Sequence, residues 1–472
     1  MKNKAANFSI LLLLCLLASG CQTYKSKSKD MGAQWRQGNV AEAAKQFGAK
    51  AAKEVNTKDT VVWRLEQAAA LRANGQLEES NTAFNVAEEQ IDKYDEKAKV
   101  SVSTEVGAMF SNQANLPYQG RDYDRVMLNA YKALNYLQLH DPEKARTELL
   151  RAYQRQQDAV ENNKKQIAKL EEEAKKADEK ARDNAEKAKA DPKFSKALTQ
   201  HYGEIDSLKP YADYVNPFVV YLDALYFMTN PAGNTDLERA NKSLERMAGF
   251  SVENKFIQED RKAIQSLLAG GSLEPTTYVI FETGCAPVRD QIRIDIPLFF
   301  IGKGNVPYAG AAFPILKVQD GFLPTLTLAW GDKQETTTVL ADMDTVVGQS
   351  FKNELPTIIT KTLLSTGIKA AAAYGINKAV SDQNAIAGIF SKIVTGIGEA
   401  MMNIADTRTW TTLPKQIQFA RLPRAADGKL TLTGPGGLPK NEIILEEGIV
   451  NLVFVKSVSA TSPLLVSQIK LK

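Results

Sequence analysis

Between Gly120 and Tyr153 the chain reads GRDYDRVMLNAYKALNYLQLHDPEKARTELLRAY. Val126, Met127, Ala130, Leu134 and Leu137 fall at helical spacing, and Ala145, Leu149 and Ala152 form a second stripe after a short break. The break is Leu139-His140-Asp141. Asp141-Pro142-Glu143 then reads as a helix start, with a capping Asp, Pro at the first helical position and an acid at the positive end of the dipole. Two amphipathic helices on so short a connection must lie antiparallel. Neither stripe is covered by the hairpin itself, so neighbours have to stack on it, as in a helical repeat.

The same turn-then-helix pattern occurs in four places: Gly38 to Phe47, Gly75 to Ala87, His140 to Ala152 and Thr235 to Met247. In each, a small residue is followed by a large apolar one four positions on, which resembles the second helix of a tetratricopeptide repeat. The small residues are Ala43, Ser80, Ala145 and Ala240, spaced 37, 65 and 95 apart. Regular repeats of this kind run to about 34 residues, so the array is irregular; a helical bundle without repeat geometry is the alternative. The long last interval holds an insertion. From Glu161 to Asp191 the chain is mostly Lys, Glu and Ala, with Ile167, Leu170, Ala174, Ala177, Ala181, Ala185 and Ala188 in a narrow seam typical of a coiled coil. A helix from Glu143 to Ala190 would span roughly 70 Å. Pro192 ends it, and Phe194, Ala197, Leu198, Tyr202 and Ile205 can make a return helix. The expected arm, residues 161–207, reads as a solvated spike or a docking arm. Asn216-Pro217 starts another helix, with Val220, Ala224 and Phe227 on one face.

After Ala269-Gly270-Gly271 the period changes. Short β-rich runs cover Thr276–Glu282, Gln291–Ile296, Ala311–Lys317, Thr325–Trp330 and Thr336–Ala341. They resume at Gln416–Leu422, Lys429–Thr433, Glu442–Leu445, Ile449–Val455 and Leu464–Ile469. Turn residues separate them, which predicts an antiparallel sandwich. Between the two groups, residues 344–405 predict a pair of helices. The first starts at Thr357 after Pro356. The second, Ala385–Ile404, is rich in Gly and Ala. Lys392 and Glu399 interrupt its apolar run below the ~18 residues that a bilayer span needs. The expected fold is therefore α+β and multidomain, with an irregular helical array over 32–272 and a sandwich-like domain over 273–472.

Composition changes this picture little, and the amino end changes it more. The chain has 472 residues, 44% hydrophobic and 24% charged, as ordinary globular protein does. Lys2 and Lys4, the apolar run Phe8–Leu17 and the small residues Ala18, Ser19 and Gly20 make a secretory signal pattern over 1–20. Leu17-Ala18-Ser19-Gly20-Cys21 resembles the bacterial lipobox, with cleavage between Gly20 and Cys21 and acylation of the Cys21 thiol. Gln22, where an Asp would favour retention in the inner membrane, resembles the outer-membrane case. Residues 21–31 read as a lipidated polar tether. Losing Lys2 and Lys4 takes the formal charge from +4 to +2, too near balance to argue for nucleic acid. Of three cysteines, one leaves with the signal and one is acylated. Cys285 then has no partner for an intramolecular disulfide and reads as a small packed residue.

Three stretches carry a family resemblance: YDRVMLNAYKALNYLQLHDPEKARTELLRAY, Tyr278 to Val288 (YVIFETGCAPV) and Ala405 to Pro414 (ADTRTWTTLP). They are similar to the signatures of a family of uncharacterised bacterial lipoproteins with a tetratricopeptide-like first half. The chain departs from that pattern at His140, where Gly is usual, and in the charged insertion. The resemblance implies an envelope interaction protein facing the periplasm, and brings no established activity with it.

Candidate chemistry is sparse. The two histidines are His140, at a repeat turn where it would satisfy a backbone carbonyl, and His201, on the expected return helix. Neither GxxxxGK nor GxGxxG occurs, and no nucleophile elbow is present. No cofactor, metal or catalytic residue is expected, so the chain reads as a non-enzyme. Asp406, Arg408 and Trp410 can pair, cap and anchor the helix-to-strand junction, or bind a partner. Tyr118, Tyr123, Tyr131 and Tyr136 could line a concave groove or fill the core. The expectation is an outer-membrane scaffold with a protein partner at the helical groove. A small-ligand or glycan site on the second half, using Trp330 and Trp410, is the alternative, with an envelope hydrolase the remote one.

Overall fold

The computed structural model describes residues 24–100, 113–176, 179–203, 205, 211, 215–251, 253–299, 306, 308–379 and 404–472. The expected signal, Gly20, Cys21 and nearly all of the second helix of the expected pair lie outside the described residues. The fold is α+β, with the helices mostly in the first half and the sheets in the second.

The first half is built of helical hairpins. They are α1 (Tyr24–Arg36) with α2 (Val40–Lys53), α3 (Thr60–Ala73) with α4 (Leu77–Val100), and α5 (Asp122–Gln138) with α6 (Pro142–Lys176). After an excursion through α7 (Glu179–Lys189) and α8 (Pro192–Tyr202), α9 (Pro217–Thr229) pairs with α10 (Asn234–Phe250), and α11 (Lys255–Leu268) closes the array. Each expected stripe is core: Ala43 and Phe47, Phe84 and Ala87, Ala145 and Leu149, Ala240 and Leu244 are all buried. Asp141 caps α6 as its sequence implies, accepting from the Lys144 N–H at 3.1 Å.

One turn geometry joins the first three hairpins. Gly38, Gly75 and His140 all take left-handed backbone, with φ of 80°, 77° and 59°. In the third, the His140 N–H donates to the Leu137 carbonyl at 3.1 Å and the Asp141 N–H to that of Tyr136 at 2.8 Å. The Gly75 and Gln76 N–H groups do the same with Arg72 and Leu71. This paired closure satisfies two orphan carbonyls of the ending helix. A carbonyl is thus satisfied at His140, but by its backbone; the imidazole is exposed. The unusual His stands where only Gly is free of strain.

The second half has eleven strands among the described residues. A five-stranded sheet runs in the order β11 (Leu465–Lys470), β10 (Val450–Ser457), β1 (Thr276–Thr283), β7 (Gln416–Pro423), β6 (Thr338–Asp342). A four-stranded sheet runs β5 (Lys333–Thr336), β4 (Thr327–Trp330), β8 (Lys429–Thr433), β9 (Lys440–Ile444), and β2 (Val288–Pro297) pairs with β3 (Tyr308–Lys317) alone. The large sheet is mixed, not antiparallel throughout, because β1 and β10 run parallel. Both strands are buried at every position, so both faces are covered. Tyr278 and Glu282 point to the helices. Val279 and Phe281, on the other face, share a core with Leu328, Leu430 and Leu432 of the four-stranded sheet. The single run expected at Thr336–Ala341 is two strands in different sheets, divided at Thr337. A single hydrophobic core extends through both halves.

Three expectations are corrected. Residues 24–31 are helix, not tether: Tyr24, Ser28, Met31 and Trp35, at helical spacing, are buried against the array. The arm is not a free spike. Its outer part folds back, with Ala185, Ala188, Phe194 and Tyr202 in a second core against Ile294, Phe313 and Phe351. The Asn184 amide donates to the Pro297 carbonyl and accepts from the Phe299 N–H. Ile167, on the expected coiled-coil seam, stays 40% exposed. Finally, Pro356 lies inside one long helix, α12 (Met343–Ala379), instead of preceding it. The small-residue face of α12 is met by the arm, the backbone of Gly367 lying close against Ala181.

Candidate functional site

The polar residues of both halves converge on a buried seam where the stretches 123–153, 278–288 and 405–414 meet. Arg408 is its most heavily bonded member. Its guanidinium donates to Asp406 through Nε at 2.8 Å and Nη2 at 2.9 Å, and through Nη1 to Asp59 at 3.0 Å. Nη1 also reaches the carbonyls of Leu116 (2.8 Å) and Lys58 (3.3 Å). Asp59 precedes α3, so this residue from the end of the helical excursion pins the start of a helix some 350 positions earlier. Burial opposes charge on Asp406, yet the Arg408 cation beside it holds its carboxyl below the ordinary value.

Glu66, fully buried on α3, is the second tie. Its carboxylate accepts from the Thr411 N–H and hydroxyl, both at 2.6 Å, from the Thr412 N–H at 3.1 Å and from the Tyr24 hydroxyl at 2.7 Å. Burial raises its pKa in spite of these donors. Trp410 lies between, with no exposure. Its ring meets Phe84 and Tyr131 edge-on, at centroid distances of 5.9 and 5.8 Å, and its indole N–H donates to Thr412. Two more carboxylates close the sheet against the helices. Glu282 of β1 accepts from Tyr131 (2.8 Å) and Lys456 (2.7 Å). Asp260 of α11 accepts from Tyr221 (2.7 Å), Tyr278 (2.6 Å) and Arg421 (3.0 Å), and burial pushes its pKa up to about 6.

The amino end of α5 completes the seam. Asp124 accepts from the Tyr118 hydroxyl and from the Arg121 N–H, and burial raises its pKa. Arg289, at the start of β2, donates to both oxygens of Glu354 at 2.9 Å. Tyr123 and Asp122 line a cavity of about 20 Å³, room for roughly one water, with Gln349 and Ser350 of α12. Burial raises the Asp122 carboxyl to about 7.

Of the residues singled out for partner binding, Tyr123, Tyr131, Arg408 and Trp410 are thus buried, and Asp406 serves Arg408. Tyr136 is half-buried beneath the Lys144 ammonium. None of them lines an open groove. Cys285 is 5% exposed, and burial pushes its thiol up to about 11. Among the described residues no group of three or more His, Cys, Asp and Glu is placed to hold a metal ion, and no helix is long and apolar enough to cross a membrane.

Sequence reasoning missed Glu66, Asp260, Glu282 and Lys132. A signal was there: each sits on an apolar face, as in VVWRLEQAAAL, TTYVIFET and VMLNAYKALNYL. A charge at a core position has to find a buried partner.

Lys132 leads to the open feature of the array. Its ammonium, 1% exposed, pairs with Glu88 at 2.6 Å and Glu148 at 2.9 Å, and the Asn129 amide donates to both acids. Above them α4 and α6 enclose an open groove of about 640 Å³. Its walls include Glu88, Asp92, Gln154, Arg155 and Asp158, with Arg155 paired to Asp92 at 2.7 Å. Five acids face three bases along it. Comparison with protein-family models, with curated proteins and with solved structures returned no match.

Proposed function

We propose that the chain is a lipoprotein anchored through Cys21 in the outer membrane, facing the periplasm, and that it acts as a non-enzymatic scaffold for an envelope protein. The lipobox and Gln22 support the anchor. The groove between α4 and α6 carries the scaffold reading: it is open and polar, and it lies on a stack of hairpins whose own faces are filled. Its excess of acids favours a partner segment richer in Lys and Arg, captured by charge more than by apolar contact. The seam supports the same reading, because it makes the array one rigid body with the sheets and so fixes the direction of the groove. A glycan pocket framed by Trp330 and Trp410 is not favoured, since Trp410 has no exposure.

The test is a photo-cross-linking residue at position 154, in envelope membranes of cells expressing the full chain. A defined product is expected, lost in a Glu89→Lys/Asp158→Lys variant and weakened by salt. No product, or one indifferent to both changes, overturns the groove as the partner site.

A further inference from the structure

We propose that the mature chain lies directly on the bilayer, on a face made by the amino end of α1 and the open end of the β2–β3 hairpin, with Lys25 and Lys317 against anionic headgroups. This rests on the reading of Cys21 as the acylated residue.

The first support is the length of chain between anchor and fold. Tyr24 is only three residues beyond Cys21, and it is fixed. It is 6% exposed, its ring lies 4.8 Å from that of Trp63, and its hydroxyl donates to Glu66 at 2.7 Å. Ser28, Met31 and Trp35 continue the same buried face, so α1 cannot lift away without opening the core. Three extended residues reach at most about 11 Å. A thiol-linked diacylglycerol holds Cys21 at the headgroup level, a layer roughly 5–7 Å deep on each side of the hydrocarbon. No thick water layer fits between fold and lipid. The body sits within about one Debye length, ~8 Å at physiological salt, where surface charges act.

The second support is the charge at that spot. Lys25 and Lys317 converge on one carboxylate, Asp290, at 2.7 and 2.6 Å, and their side chains remain 63% and 56% exposed. One acid shared by two ammonium groups leaves a local excess of one positive charge. Burial works against ionisation of Asp290, but the two lysines outweigh it and hold its pKa near 2, so the arrangement persists at any envelope pH. Beside Lys317, Val318 is 57% exposed, one of the more exposed large apolar side chains of the described fold. A cation pair with an adjacent apolar side chain suits a phospholipid interface, where the ammonium meets phosphate and the valine the acyl boundary.

The experiment uses the chain from Cys21 onward, coupled at Cys21 to a maleimide phospholipid in vesicles of phosphatidylethanolamine and phosphatidylglycerol. Cys285 is buried, so the coupling is selective. Amine reactivity is mapped by mass spectrometry, attached against free. Lys25 and Lys317 are expected to lose at least threefold in labelling rate while lysines over the rest of the surface keep theirs. Inserting twenty Gly/Ser residues after Gln22, ahead of the fold, should restore both. Equal labelling on and off the vesicle, uniform loss over all lysines, or protection that survives the insertion each overturns the proposal. Because the lipid is attached chemically, this result is independent of acylation in cells. Radiolabelled palmitate incorporation, compared with Cys21→Ser, decides that separately.

Discussion

The seam makes its sharpest quantitative demand at Arg408. Truncation to Ala removes a guanidinium that is 4% exposed and leaves the carboxylates of Asp59 and Asp406 without their cation. It also deprives the Leu116 and Lys58 carbonyls of a donor and strips a cation from the Tyr118 ring, 5.4 Å away. Removing one partner of a buried pair costs about 3–5 kcal/mol, most of it from the charges left behind. With a urea slope of ~3 kcal/mol per M for a chain of this size, the midpoint should fall by about 1–1.7 M. Arg408→Lys keeps the charge but not the planar fork, and should fall about half as far. Asp59→Asn combined with Arg408→Ala should cost less than the sum of the two, by more than about 1 kcal/mol, since one change relieves the charge stranded by the other. Equilibrium urea unfolding followed by tryptophan fluorescence reads all four variants against the wild type, because Trp35, Trp63 and Trp410 are fully buried. If Arg408→Ala moves the midpoint by less than ~0.3 M, roughly 1 kcal/mol, the seam does not hold the halves together and the reasoning fails.

Three other measurements follow from the geometry. At the repeat turns, His140→Gly should stabilise by up to about 1 kcal/mol, because the left-handed strain removed exceeds the extra unfolded-state entropy of Gly; Gly75→Ala, with open space around it, should destabilise by about as much, and paired urea curves decide both. The raised pKa of Asp260 means that the folded chain binds this proton more tightly than the unfolded one. Its contribution to stability is full below pH ~4 and is lost as pH climbs through about 6, so the fall of the wild-type protein over that window should be smaller in Asp260→Asn, where Asp122 and the other buried acids still contribute. Cys285 should resist an aromatic disulfide reagent at pH 8 in the native chain and react within minutes in urea; fast native labelling would place the thiol at the surface.

The elements were legible because most have one covered face. The hairpin stripes, the Asp141 cap and ten of the strand runs follow from period and punctuation alone. The parallel pairing of β1 with β10 was not legible. A strand buried on both faces loses its alternation, and its neighbour in the sheet is some 170 residues away. The tether failed for a different reason. KSKSKD reads as solvated polar chain, and the buried face of α1 rests on Tyr24, Ser28, Met31 and Trp35, a stripe too sparse to stand out among lysines. The candidate residues were recognisable as special, but the choice between core and groove stayed open for them; pairing of Arg408 with Asp406 and burial of Trp410 and Tyr131 decide it for the core. Aromatic and charged side chains at helical spacing look alike whether they face a groove or an opposing sheet. Only the partners, Glu282 for Tyr131 and Asp59 for Arg408, distinguish the two, and those lie about 150 and 350 positions away.

That separation sets the order in which the protein can be completed. The α3 helix leaves the ribosome long before Thr411 and Thr412, which supply three of the donors to Glu66. Until then the carboxylate, in the middle of an apolar helix face, has only the Tyr24 hydroxyl and water as donors, and the hairpins around it cannot close dry. The sheet waits as well, since β1 needs β7 and β10 on its two sides. Until the carboxyl end arrives, the early helices therefore stand as an open, wet stack with apolar faces uncovered. That is the state in which a chain most depends on chaperones and is most exposed to proteases. The native body then forms late and all at once, when the last quarter of the sequence arrives to shut it.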